Sequence, residues 1–412
     1  MKLFMSFIIV VGLVFILLTP QMKADSSGNA YPIVLVHGLG GWGSEEISGF
    51  NYWGGLNNIQ SHLNKKGFET HVPAVGPVSS NWDRAAELYA YIKGGTVDYG
   101  AEAHSNQHGH DRYGDTFPGV INDWNSTNKI HLLGHSMGGQ SSRQLVEFLK
   151  SGSEVEKTYH ENHPEEEAMS SLFEGGKDWV HSVTTLATPH NGSAISNESE
   201  DFLPLIKSLI WKYLSLMETH TGNSFNYDFD LDHWGLKRQS DESLHSYIDR
   251  LFNNAFWETN DTSQFDLSLE GANEFNNQVK TYEDIYYFSY TGDATYKSVI
   301  NQYRLPLLSM NPLFYTTSFY LGRYDDIFYG IDSSWYPNDG LVSVPSSQYP
   351  IGHSAKAVTS QQFEKGVWNY NPTQYRWDHT DFIGIDISDT LGFSDIKGYY
   401  KDIAENLASL PE

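Results

Sequence analysis

Ser136 stands in Gly134-His135-Ser136-Met137-Gly138, directly after the β-rich run Lys129 to Leu133 and before a stretch from Gln140 to Lys150 that reads as a helix. A strand that reverses into a helix across a single serine makes a very sharp turn. Only small residues leave room on both sides of it. The helix N-terminus then lies beneath the serine, where its dipole favours negative charge on a bound oxygen. Glycine-serine turns are common by themselves. It is the strand before and the helix after that make this one specific.

Other runs place that unit in a larger sheet. Tyr31-Pro32-Ile33-Val34-Leu35-Val36 is continuously apolar and ends in His37-Gly38-Leu39-Gly40-Gly41, as expected of a strand buried on both faces and followed by a tight turn. Val180 to Ala187 and Ile285 to Tyr290 read as further strands. Buried strands alternating with helical stretches imply parallel pairing through crossover helices, an α/β class with a mostly parallel central sheet and flanking helices. At 412 residues with 39% hydrophobic content the chain can bury a large core. No linker, repeat or low-complexity tract divides it, so one domain over 25–412 with an insertion at about 195–260 is expected.

Residues 1–24 read as an export signal, with Lys2, the apolar run Leu3 to Leu18, and the small residue Ala24 before a polar stretch; a membrane anchor is the alternative, since the apolar run approaches spanning length. A secreted, extracellular protein is therefore expected, and with no cysteine it is held by its core and by metals rather than by disulfides. The formal net charge of −25 argues against nucleic acid or an anionic membrane surface as partner. A neutral, water-insoluble substrate meets no such repulsion. Nothing points to an obligate protein partner.

A serine hydroxyl needs a base to take its proton and an acid to orient that base. In the order serine, acid, histidine, the turn Asn338-Asp339-Gly340 offers an acid and Trp377-Asp378-His379 a histidine. His353, Asp326 and Asp332 compete for the same roles. Two backbone amides, at Leu39 after the first strand and at Met137 after the serine, are placed to form an oxyanion hole.

Taken together, Pro32 to Gly38 with Trp42-Gly43, Ser79-Ser80-Asn81-Trp82-Asp83-Arg84, Val97-Asp98-Tyr99-Gly100, Gly134 to Gly139, Ala187-Thr188-Pro189-His190, Leu231 to Leu236, Asn338-Asp339-Gly340 and Trp377-Asp378-His379 resemble, in order, secreted true lipases of Gram-positive bacteria. That group joins the thermoalkalophilic Bacillus and Geobacillus enzymes with the staphylococcal lipases. The resemblance implies an α/β-hydrolase fold with a helical lid and a zinc-bearing insertion, and a triad of Ser136, Asp339 and His379. It also implies triacylglycerol hydrolysis through an acyl-enzyme, with a lipid ester at an oil-water interface as substrate. Phospholipase A1 or short-chain carboxylesterase activity on the same machinery is the alternative, and a non-catalytic secreted binding protein a more distant one.

Two metals follow from the same resemblance. Structural zinc is expected on Asp83, His104, His110 and Asp232, with His108 a bystander, since two imidazoles and two carboxylates suit a tetrahedral site. Structural calcium is expected on the carboxylates of Asp381 and Asp386 and the carbonyls of Ser309 and Ile387. The segment Phe202 to Met217, apolar at helical spacing and punctuated by charge, matches the position of the family's lid. Unlike staphylococcal relatives, the chain has no long stretch between the export signal and the first strand, so no large propeptide is expected.

Overall fold

The computed structural model describes residues 28–44, 46–47, 49–197, 199–221, 227–385 and 395–412. The export signal expected at residues 1–24 lies outside them. Seven strands form one sheet: β1 (Ile33–Val36), β2 (Thr70–His71), β3 (Ile130–His135), β4 (Val180–Leu186), β5 (Tyr286–Tyr290), β6 (Ala355–Ala357) and β7 (Trp368–Tyr370). Their order is β6-β7-β5-β4-β3-β1-β2, and every neighbouring pair is parallel.

Side-chain alternation along β1 explains the continuous apolar run in the sequence. Ile33 and Leu35 point into one buried cluster, together with Leu133, Leu186 and Phe288. Val34 and Val36 point into another, with Leu132 and Val183. Both faces of the sheet are thus covered, as parallel pairing through crossovers demands. Helices α1 (Asn81–Lys93) and α2 (Met137–Lys150) supply the second cluster, while the first contains residues of α3 (Ser199–Thr221) and of the C-terminal helix Ile396–Ala408.

A buried guanidinium fixes the turn after β1. Arg84 on α1 donates to Ser141 Oγ at 2.8 Å, to the Gly76 carbonyl at 2.7 Å and to the His37 carbonyl, so three segments are drawn to one planar cation. That geometry needs arginine, because a lysine cannot present a rigid fork to several acceptors.

The close approach of α2 to the sheet comes from glycine. A Cβ at Gly138 would lie 2.1 Å from the Val36 carbonyl oxygen, and one at Gly134 would lie 2.4 Å from Gly138 itself. Neither contact is possible for a real side chain, and both obstacles are backbone. Gly138→Ala is therefore expected to lower folding stability by about 3 kcal/mol or more, read by urea denaturation with tryptophan fluorescence. A loss below about 1 kcal/mol would contradict this packing.

Candidate active site

Ser136 sits between the end of β3 and the first residue of α2, with φ 54° and ψ −130°. A side chain rarely takes this conformation, so surrounding contacts must hold it. Its amide donates to the Leu186 carbonyl at 2.8 Å, and its carbonyl accepts from Thr188 Oγ1 at 2.8 Å and from the Gly139 amide at 3.0 Å. Strands β3 and β4 thus clamp the turn, and Oγ is pushed off the end of the sheet. Open α/β sheets bind ligands at these carboxyl ends.

The structure brings Ser136, His379 and Asp339 into one line. His379 Nε2 lies 2.9 Å from Ser136 Oγ, and His379 Nδ1 lies 2.8 Å from Asp339 Oδ2. The other oxygen of Asp339 accepts from the amides of Leu341 at 2.9 Å and Val342 at 2.7 Å. The carboxylate is therefore held by its own turn and offers Oδ2 alone to the imidazole. Since a carboxylate can only accept, Nδ1 carries the proton and donates it in a hydrogen bond to Asp339, and Nε2 is left as the base facing the hydroxyl. The His379 amide also donates to the Asp339 carbonyl at 2.9 Å, tying the two loops by their backbones.

The competing residues are occupied elsewhere. His353 pairs with Thr281 Oγ1 and the Asn276 carbonyl. Asp326 accepts from the amide of Phe328 and Asp332 from that of Ser334.

A second histidine, unforeseen in the sequence reading, organises the site from behind. His135 Nε2 lies 2.9 Å from the His379 carbonyl, Tyr52 Oη lies 2.7 Å from His135 Nδ1, and the Gly38 amide donates to Tyr52 Oη at 2.9 Å. A carbonyl can only accept, so Nε2 carries the proton and Nδ1 accepts from the tyrosine. Burial, reinforced by the nearby His379, holds the His135 pKa well below the ordinary histidine value and keeps the ring neutral. The chain of bonds runs from the loop carrying Leu39 to the backbone of His379. Its only sequence trace is a histidine next to the serine.

Leu39 lines both cavities beside Ser136 and His379. Met137 is the first residue of α2, and amides of a helix's first turn have no acceptor within the helix. These are the two positions expected for an oxyanion hole.

Helix α3 closes the site. Phe202, Leu205, Ile206, Leu209 and Ile210 line cavities of only about 40 and 60 Å³ over Ser136, and Ile210 reaches the Gly40 turn. Pockets that hold organic ligands usually span several hundred Å³. A ligand of that size therefore enters only if this helix moves. Lys207 pairs with Asp249 at 2.5 Å, tethering the cover to the helix Leu244–Phe252.

The histidine-rich loop converges on a different carboxylate than expected. Asp83, His104, His110 and Asp261 bring one ligand atom each within 4.8 Å of one another, all four buried. Asp232 is not among them, because its carboxylate faces solvent and receives Lys237 Nζ. It is His233, the next residue, that reaches the cluster, holding Asp83 Oδ2 at 3.0 Å. His110 Nδ1 lies 2.9 Å from the Asp111 carbonyl, which puts the proton there and turns Nε2 inward. That Nε2 lies 3.3 Å from Asp261 Oδ2, which is also 3.2 Å from His104 Nε2, yet neither His110 Nε2 nor Asp261 Oδ2 has a well-formed hydrogen bond. Two lone-pair atoms facing each other, neither able to donate to the other, fit a cation between them, and the two-nitrogen, two-oxygen set suits zinc.

Of the calcium set, Ser309 is exposed and Asp381 accepts the Asp378 amide at 2.6 Å. Asp386 and Ile387 lie outside the described residues.

The family model described as lipase-like, C-terminal domain matches residues 29–411. The chain belongs to this lipase family. The lipase of Staphylococcus hyicus is 41% identical over 388 residues, covering 93% of this chain and 58% of that protein. The chain thus spans little more than half the length of such staphylococcal lipases. Two solved structures are similar over most of both chains. EstA from Clostridium botulinum is 42% identical with a TM-score of 0.85, covering 93% of this chain and 88% of that one. Lipase 1 from Pelosinus fermentans is 44% identical with a TM-score of 0.82, covering 93% and 99%. The staphylococcal side of the resemblance read from the motifs is the side these relatives carry.

Tyr52 gives this family member a test of its rear network. Tyr52→Phe leaves the Gly38 amide and His135 Nδ1 unpaired in the interior, and a loss of about 1–3 kcal/mol in urea denaturation is expected. Unchanged stability would mean that the bonds are not formed.

Proposed function

We propose that this chain is a secreted triacylglycerol lipase working through a covalent acyl-enzyme. The observation that carries the proposal is the line from Ser136 Oγ through His379 to Asp339 beneath an apolar helix. Lipase names among relatives that cover most of this chain support it, as does the apolar run at residues 3–18 for export.

In this reading His379 Nε2 takes the proton of Ser136 as Oγ adds to the ester carbonyl. The carbonyl oxygen, now an oxyanion, accepts from the amides of Leu39 and Met137. Asp339 stabilises the imidazolium and keeps its tautomer. His379 then returns the proton to the departing glyceride oxygen, the carbon–oxygen bond breaks, and the acyl group stays on Ser136. A water molecule, deprotonated by the same imidazole, adds to the acyl carbon; the bond to Ser136 Oγ then breaks, Oγ recovers the proton from His379, and the fatty acid leaves. Movement of α3 admits the acyl chain and excludes bulk water once it is seated.

Asp83, His104, His110 and Asp261 would hold zinc in this reading. With all four positions filled by protein the ion would act as a cross-link between α1, the histidine loop and the segment before residue 263. The reading keeps calcium beside Asp381 and Ser309 as a second structural ion, and no step of the reaction passes through it.

Ser136→Ala is expected to fold normally and to lose at least about 10⁴-fold in turnover of emulsified triolein, measured by titration of released acid. Retained turnover would remove the proposed nucleophile. For the metal, Asp261→Asn is expected to lose bound zinc, measured by elemental analysis, and to melt at a lower temperature, whereas Asp232→Asn keeps both. The opposite pattern would restore Asp232 as the ligand.

A further inference from the structure

Among the described residues, the five most exposed large apolar side chains are Val299 at 99%, Ile327 at 98%, Leu308 at 93%, Ile300 at 90% and Phe328 at 85%. All five fall within residues 295–331. Scattered apolar residues need no explanation, but a concentration of this kind marks an interaction surface.

The fold gathers them. Strands Thr295–Lys297 and Arg304–Pro306 pair as an antiparallel hairpin whose tip carries Val299 and Ile300. Tyr303, at the tip's return, packs on the ring of Tyr336 at 6.1 Å, and Tyr336 Oη donates to Asp325 at 2.9 Å. Two residues beyond Asp325 the second tip begins, Ile327-Phe328, closed by paired backbone bonds between Asp326 and Ile331. Both tips therefore hang from one aromatic junction, and the turn bonds leave their side chains in water.

The patch also adjoins the cleft. Leu321, Ile331 and Trp335 form a buried cluster against which Leu205 of α3 and Leu341 of the Asp339 loop pack, and those last two line the cavity over Ser136. At the hairpin's base, Tyr315 Oη donates to the Leu308 carbonyl, and the neighbouring Phe314 meets the His379 ring edge-on.

Charge sets the patch apart from its surroundings. The whole chain has 51 acidic against 26 basic residues, but residues 293–332 are close to balance, with Asp293, Asp325, Asp326 and Asp332 against Lys297, Arg304 and Arg323, and Asp293 pairs with Arg304. Asp325 and Asp326 both hold local hydrogen bonds. Tips enter an uncharged lipid surface at least cost where few unpaired charges must be desolvated beside them.

We propose that the Val299-Ile300 and Ile327-Phe328 tips are lipid anchors, which insert into a neutral or zwitterionic lipid surface and hold the mouth of the Ser136 cleft against it. The tips are a second contact, separate from α3, so adsorption does not require the cover to open first. The idea rests on the lipase reading for its purpose, but adsorption is measured without turnover.

The test uses the full chain carrying Ser136→Ala, with triolein droplets coated in phosphatidylcholine and bound protein separated by flotation. Adding Val299→Ser, Ile300→Ser, Ile327→Ser and Phe328→Ser is expected to weaken droplet binding at least about tenfold. With Ser136 restored, the four-site variant is expected to hydrolyse dissolved p-nitrophenyl acetate at the parent rate but to lose activity on emulsified triolein. Equal droplet binding by parent and variant would overturn the proposal. So would a concentration-dependent dimer of the parent, seen by light scattering, that the variant loses while droplet binding is unchanged; the patch would then belong to a second copy. Failure of the parent to hydrolyse p-nitrophenyl acetate would count against the lipase reading alone, because droplet binding is read independently.

Discussion

Ser136 can hold φ 54° and ψ −130° only because the backbone around it has nowhere else to go. Gly134 and Gly138 let β3 and α2 meet at a distance that side chains forbid, and the Val36 carbonyl presses on the same turn from β1. Local strain of this kind persists where neighbouring structure over-determines it. Here the Leu186 carbonyl and Thr188 hydroxyl grip the serine's amide and carbonyl. The result is a hydroxyl fixed at the lip of the sheet and a helix N-terminus fixed beneath it.

From that fixed point the remaining geometry follows by hydrogen-bond bookkeeping at single atoms. Asp339 spends one oxygen on two amides, so the other orients His379. His135 spends its proton on the His379 carbonyl, so it must accept from Tyr52, which in turn receives Gly38. Each proton position is forced by a group that can only accept or only donate. The loop before Leu39 and the loop bearing His379 are thus coupled through one neutral histidine. Above them, α3 presents a row of apolar side chains and leaves little free volume, a dry setting in which charge on a bound oxygen is felt strongly.

Much of this was legible in the residues. β1 announces itself because burial on both faces makes it continuously apolar, and β3, β4 and β5 because their short runs are rich in β-branched, aliphatic and aromatic residues. β6 and β7 do not, since Ala355-Lys356-Ala357 and Trp368-Asn369-Tyr370 are three residues each and lie toward one end of the sheet. Order along the chain left His353 and two other aspartates open against His379 and Asp339, and only the resemblance chose between them. The metal cluster shows the opposite limit. The Asp232-His233-Trp234 motif does touch that cluster, but through His233, and the fourth carboxylate comes from Asp261 in a polar turn with no pattern around it. Pairings between residues 150 positions apart, as for Asp83 and His233, are set by the fold and leave no mark in local spacing. His135 and Tyr52 were missed for the same reason.

The central claim is that Ser136 is made nucleophilic by His379, and trapping the serine tests it most directly. A p-nitrophenyl alkylphosphonate, added with a mild detergent to let α3 move, phosphonylates an activated serine and releases one equivalent of nitrophenol. Intact mass and peptide mapping should show one adduct, on Ser136, formed at least about 100-fold more slowly in His379→Ala. An adduct on a different residue, or equal rates with and without the imidazole, would contradict the account.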